Sequence, residues 1–157
     1  MTYLVVYESA FGNTREVAEA VAAGLGDGTD LVDVGSAPPL ESLDVDLLVV
    51  GAPTHAFGMS RPQTREDAAG RGGHPPTTGI REWLDAAGSA TLKVATFDTH
   101  TRKPNLPGTA SRAAAKRLRA LGCTMVAAPE KFWVHGDKGP LLDGEADRAR
   151  TWAQGLL

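Results

Sequence analysis

From its first residues to its last, the chain alternates short apolar runs with stretches of helical spacing, and this alternation limits the fold more than any other feature. Leu4-Val5-Val6-Tyr7 is a continuous apolar run, as expected of a strand covered on both faces. Residues 13–25 then carry Val17, Val21 and Leu25 on one helical stripe. Leu31-Val32-Asp33-Val34 reads as a second strand, and Asp46-Leu47-Leu48-Val49-Val50 as a third, the strongest strand signal in the chain. Helical spacing returns over residues 80–87, a fourth strand is expected at 92–97, and a helix rich in alanine, arginine and lysine at 111–121. Residues 124–132 supply a fifth strand, irregular at Pro129, and residues 145–156 a closing helix. Strands that alternate with helices pair in parallel through right-handed crossovers. The expectation is an α/β three-layer sandwich: a five-stranded parallel sheet of order 2-1-3-4-5 with helices on both faces, all in one domain over residues 1–157.

Composition excludes several classes. The 157 residues are 42% hydrophobic and 22% charged, ordinary for a globular domain of this size. A formal charge of −3 offers no general reason to expect nucleic acid or an anionic membrane as partner. Cys123 is the only cysteine, so there is no internal disulfide and no cysteine-rich metal site, and it reads as a buried, inert thiol. His55, His74, His100 and His135 lack metal-ligand spacing. No apolar stretch approaches the roughly 20 residues that span a bilayer, and no targeting segment is visible, so the cytoplasm is the expected compartment. Oligomeric state is left open.

In sheets of this order ligands bind beyond the carboxyl ends of the strands, where neighbouring loops diverge. That points to residues 8–14, 52–78 and 98–107. In the first, Ser9-Ala10-Phe11-Gly12-Asn13-Thr14 leads into a helix N-terminus, whose free N–H groups and partial positive charge favour an anion. Ser9, Asn13 and Thr14 add side-chain donors, and Gly12 lets backbone approach a ligand closely. The same residues could form an ordinary strand-to-helix turn with Asn13 or Thr14 as N-cap. The loop holds no lysine or arginine and matches neither the nucleotide-triphosphatase loop nor the three-glycine dinucleotide fingerprint.

This loop resembles the phosphate loop of flavodoxins, usually Ser/Thr-x-Thr-Gly-x-Thr, with Phe11 in place of the third-position threonine. The resemblance covers essentially the whole chain and implies flavin mononucleotide (FMN), with its phosphate held by neutral hydroxyls and amides. It extends to Pro53-Thr54-His55-Ala56-Phe57-Gly58, similar to the stretch that runs along one face of the flavin ring. There Thr54 is expected at the ribityl chain or ring edge, and His55 or Phe57 beside the ring. Phe97-Asp98-Thr99-His100, at the fourth strand's end, is expected to recognise the pyrimidine edge, with Asp98 and Thr99 suited to that task and His100 to a ring contact. On bland readings His55 is a solvated loop residue, Phe57 a local plug and Asp98 a turn cap. Trp133, with His135 and Gly136 after it, either reaches the flavin edge or covers the core.

Two features depart from electron-carrier flavodoxins, which usually have an acidic rim. Loops 52–78 and 98–107 carry Arg61, Arg65, Arg71, Arg102 and Lys103 against Glu66, Asp67 and Asp98. Residues 59–78 also form a long connection, read as a mobile segment or lid. The resemblance implies electron transfer to a redox partner protein or a small-molecule acceptor. The alternatives are an FMN-dependent NAD(P)H oxidoreductase acting on quinones or similar acceptors, with Arg61, Arg65 or Arg71 on the nucleotide phosphates, and a flavin-free binding module of the same fold. No nucleophile–base pair can be argued from spacing, so no catalytic residue is named.

Overall fold

A computed structural model describes residues 1–102, 108–136 and 138–157. The elements are β1 (Tyr3–Tyr7), α1 (Asn13–Leu25), β2 (Thr29–Asp33), β3 (Leu47–Pro53), α2 (Pro62–Gly70), α3 (Ile80–Asp85), β4 (Lys93–Thr101), α4 (Ala110–Ala120), β5 (Thr124–Met125), β6 (Glu130–Val134) and α5 (Glu145–Gln154). The strands form one parallel sheet in the order β2-β1-β3-β4-β5, with β6 also paired to β4. The expected fifth strand is thus two. Val94 pairs with Met125 and Phe97 with Glu130. Four edge residues therefore lie opposite two of β4, and the surplus, which includes Pro129 with no N–H to give the ladder, leaves the sheet.

Side-chain alternation sends the apolar runs to two cores. Leu4, Val6, Leu48, Val50 and Val94 pack with Ile80, Leu84, Ala114 and Leu118 under α3 and α4. Val5, Tyr7, Leu47, Val49, Ala95 and Phe97 pack with Val17, Val21, Ala149 and Ala153 under α1 and α5. Here Phe97, Phe132 and Trp152 form a triangle of edge-to-face rings 5.8–6.1 Å apart. Close approach requires glycine at two positions. A Cβ on Gly51 would lie 2.0 Å from the Phe97 ring, and one on Gly24 would lie 2.3 Å from the Arg150 carbonyl oxygen on α5.

Two local expectations are corrected. The fourth strand runs on to Thr101, so Asp98, Thr99 and His100 are strand residues opposite Lys131, Phe132 and Trp133, not a loop. Residues 59–78 are not an unstructured connection, because they contain α2. Arg61 is extended, Pro62 opens the helix where no N–H is needed, and the Arg61 N–H donates to Thr64 Oγ1 at 2.9 Å. Gly72 in the left-handed region and a Gly73 N–H bond to the Ala68 carbonyl end it. Among the described residues, no helix is long and apolar enough to cross a membrane.

Candidate functional site

Three chain segments meet at the carboxyl edge around a cleft of about 430 Å³, near the switch between β1 and β3. Eleven of the expected site residues line it: Ser9, Ala10, Phe11, Asn13 and Thr14; Pro53, Thr54, His55 and Phe57; and Thr99 and His100. Loop 9–14 is shaped from within. Gly12 sits at φ +93°, a left-handed conformation that glycine adopts without strain, and its N–H donates to Ser9 Oγ at 3.0 Å. The first N–H groups of α1 have no intrahelical acceptor, and Asn13 and Thr14 at its start line the cleft. Buried Thr14 shares a 2.7 Å hydrogen bond with Thr99 Oγ1, tying loop to β4. The Asn13 carboxamide abuts Gly139, where a Cβ would come within 2.2 Å.

The second segment is a tight reversal. His55 and Gly58 exchange backbone hydrogen bonds of 2.8 and 3.1 Å, and between them Ala56 and Phe57 adopt φ of +47° and +73°. Such angles are costly for residues with a Cβ, so the turn holds them against local preference and leaves Phe57 54% exposed at the cleft rim. Thr54 is fixed at both ends: its N–H donates to the Thr99 carbonyl, and its Oγ1 accepts from the Ala110 N–H at 3.1 Å. His55 Nδ1 lies 3.1 Å from Thr64 Oγ1 on α2.

The third segment differs from expectation. Asp98 is fully buried away from the cleft, with Oδ2 accepting the Ser111 N–H at 2.9 Å and the Ser111 hydroxyl at 2.5 Å. It therefore caps α4 from inside the sheet. Burial raises its pKa, against the lowering effect of the Ser111 bonds. Phe97 belongs to the α1/α5 core. Neither residue lines the cleft, because the strand extends past them and both are fully buried. His100 does line the cleft. Its ring packs 5.9 Å from Trp133, its Nε2 has no hydrogen-bond partner among the described residues, and burial lowers its pKa. Gly12 and Gly58 stand behind the lining as turn residues.

The fourth wall is α2, through Thr64, Asp67, Ala68 and Arg71, with Thr101, Val134 and Gly136 closing the far end. Sequence periodicity missed α2 because only Arg65 and Ala68 are buried on it. The Arg-Pro-x-Thr start and the glycines after it were the available signal. Its anchor is a buried polar network. Glu8 accepts from the Ser60 hydroxyl at 2.5 Å and the Ile80 N–H at 2.8 Å, Arg65 donates to Ser60 at 2.7 Å, and Arg65 pairs with Glu82 at 2.8 Å. Burial raises the Glu8 pKa, opposed by these bonds and by Arg65. Arg65 is consumed here and faces no ligand. Beyond α2, the His74 N–H donates to the Ala10 carbonyl and Gly73 presses on the Phe11 ring, so the chain after α2 covers the phosphate-type loop. Of the other expected cations, Arg61 is exposed, Arg102 stacks 5.5 Å over Trp133, and Lys103 lies outside the described residues. No cluster of potential metal ligands occurs among the described residues.

The model of the flavodoxin domain family matches residues 4–65, a stretch that holds both loop 9–14 and the 53–58 turn. A flavodoxin from the domain Archaea superposes with a TM-score of 0.70 at 20% identity, over 99% of this chain and 96% of that one. Oxidised flavodoxin 1 from Bacillus cereus gives 0.70 at 17% identity, and a Streptococcus pneumoniae flavodoxin 0.71 at 16%, each over 99% of this chain and 97% of its own. No curated protein sequence matches significantly. The fold is flavodoxin-like, and the matched stretch carries the same family signature.

Proposed function

We propose that this flavodoxin-like chain binds FMN in the cleft and passes electrons through it to a partner protein or a small acceptor. One observation carries the reading: a helix N-terminus, opened by a left-handed glycine and led by a loop without lysine or arginine, shares a single cleft with an exposed aromatic residue at the β1/β3 switch. The cleft volume lies in the range of about 300–1,000 Å³ typical of small-molecule sites. Residues and ligand fit in kind: N–H donors and Asn13 for a phosphate, Thr54 along a polyol, Phe57 and Pro53 for a flat ring. FMN supplies the one- and two-electron chemistry; the chain binds it, orients it and shields one side with α2. That these structural neighbours are flavodoxins supports the same ligand.

The enzyme alternative has one observation in its favour, the α2 wall with Arg71 and Asp67 on the cleft. Arginine's planar fork suits a nucleotide phosphate, but no dinucleotide fingerprint accompanies it. Stopped-flow mixing of FMN-loaded protein with NADPH and no other protein separates the two. Flavin absorbance stable over minutes is the expected result. Rapid bleaching that is lost in Arg71→Ala would overturn the carrier reading in favour of the oxidoreductase.

A further inference from the structure

Charge is segregated along this chain in a way the net value hides. Residues 16–60 hold eight carboxylates and no lysine or arginine, whereas residues 61–157 hold fifteen lysines and arginines against ten carboxylates. The sheet order turns this into geometry: the acidic stretch builds β2 and its edge, and the basic one builds β4 to β6 at the other edge. Within the basic half, α4 contains no carboxylate. Its exposed Arg112, Lys116 and Arg119 recur at helical spacing on one stripe and have no ion-pair partner among the described residues. Several other cations are ion-paired: Arg15 with Glu19, Arg65 with Glu82, Arg148 with Glu130 and Glu145, and on α4 itself Arg117 with Asp85. On the same face of the sheet half-buried Trp133 lies between Arg102 at 5.5 Å and Lys131 at 6.0 Å, and packs on His100, a cleft residue.

We propose that this basic face, formed by α4 and the Arg102–Trp133–Lys131 cluster, docks an acidic protein beside the cleft. An amphipathic aromatic between two cations gives a desolvatable centre, and the α4 stripe gives a steering field that a chain of overall charge −3 would otherwise lack. The start of α4 is tied to Thr54 and Asp98 at the carboxyl edge, so a protein seated here meets the rim of the cleft. That the docked protein exchanges electrons rests on the FMN reading; the surface itself does not.

The test is a chemical-shift titration of the full-length isotope-labelled chain with poly-L-glutamate, repeated with the triple variant Arg112→Glu, Lys116→Glu, Arg119→Glu. Shifts confined to Arg102, α4 and residues 131–133, with at least tenfold weaker binding in the variant and in high salt, are expected. Scattered shifts, or equal binding by the variant, would overturn the proposal. Tighter binding of a DNA duplex than of poly-L-glutamate would replace it with a nucleic-acid surface. A low-salt dimer in sedimentation that the variant abolishes would replace it with a second copy of this chain. The three positions are exposed, and an unchanged FMN affinity reports that the variant is intact. If neither protein binds FMN, the electron-transfer reading falls while the titration still decides the surface.

Discussion

Loop 9–14 and the end of β4 lie at the same sheet edge and were assigned to the same ligand, yet they spend their polar groups differently. In the loop, one side-chain bond shapes the Gly12 turn and leaves the α1 N-terminus without an internal acceptor. At β4 most polar groups are used inside the protein: Asp98 Oδ2 caps α4, Thr99 holds Thr14, and Thr96 Oγ1 donates to the Ser111 carbonyl. Of its two atoms without a hydrogen-bond partner among the described residues, Asp98 Oδ1 and His100 Nε2, only the histidine nitrogen belongs to a cleft residue. A residue at the right sheet edge is therefore not automatically at the ligand. Which side of the sheet its side chain enters, and which of its polar atoms other elements already engage, decide which it is.

The sharpest way to break this contrast is Asp98→Ala. It leaves the Ser111 N–H and hydroxyl buried without their acceptor, and stability should drop by about 3 kcal/mol in urea titrations. FMN affinity of the folded fraction should stay within about threefold. Intact stability with lost flavin binding would put Asp98 at the ligand after all.

The next effect is smaller in stability and larger in binding. A side chain at Gly12 would meet no atom within 4 Å but would have to adopt φ +93°. Gly12→Val should therefore cost about 1–2 kcal/mol of stability from backbone strain and weaken FMN by more than about tenfold, or about 1.4 kcal/mol. Calorimetry showing full FMN affinity would detach the loop from the phosphate.

pH sharpens the contrast within β4. Asp98 has a raised folded pKa, so its contribution is full below its ordinary value of 3.8 and declines as pH rises through the folded one. His100 has a lowered pKa, so its contribution is present above 6.5 and is lost as pH falls through the folded value. Urea midpoints should show Asp98→Asn removing a fall of stability with rising pH, and His100→Gln removing a loss towards acid. Parallel wild-type and variant curves would refute both.

How much of this was readable beforehand follows from which interactions are local. Residues 13–25 form a helix as their stripe predicts, and the apolar runs at 4–7 and 46–50 became β1 and β3, because doubly covered strands announce themselves by continuous hydrophobicity. The Asp-Thr-His-Thr stretch after Phe97 reads as a loop because the partners that engage its polar groups, on α4, α1, β3 and β6, are not its neighbours in sequence. Helix α2 escaped notice because a helix that rests on a buried Glu8–Ser60–Arg65 network needs no apolar stripe. The five loop cations were likewise counted together from the sequence, while Arg65 is paired internally with Glu82.

The smallest predicted effect concerns the rim. Phe57→Ala should weaken FMN by threefold to tenfold, the loss of about 0.5–1.5 kcal/mol of ring contact, with no change in stability because the ring is already exposed. A fall in urea midpoint without an affinity change would make Phe57 a packing residue.

The central claim is that loop 9–14 holds a phosphate, and calorimetric titration of the same protein with FMN and with riboflavin tests it most directly. The two ligands differ only in the group the loop is proposed to grip, and bonds to a charged group contribute about 1.5–3 kcal/mol each. FMN binding at least a hundredfold tighter than riboflavin is the predicted result. Equal affinities, or binding of neither flavin, would contradict it.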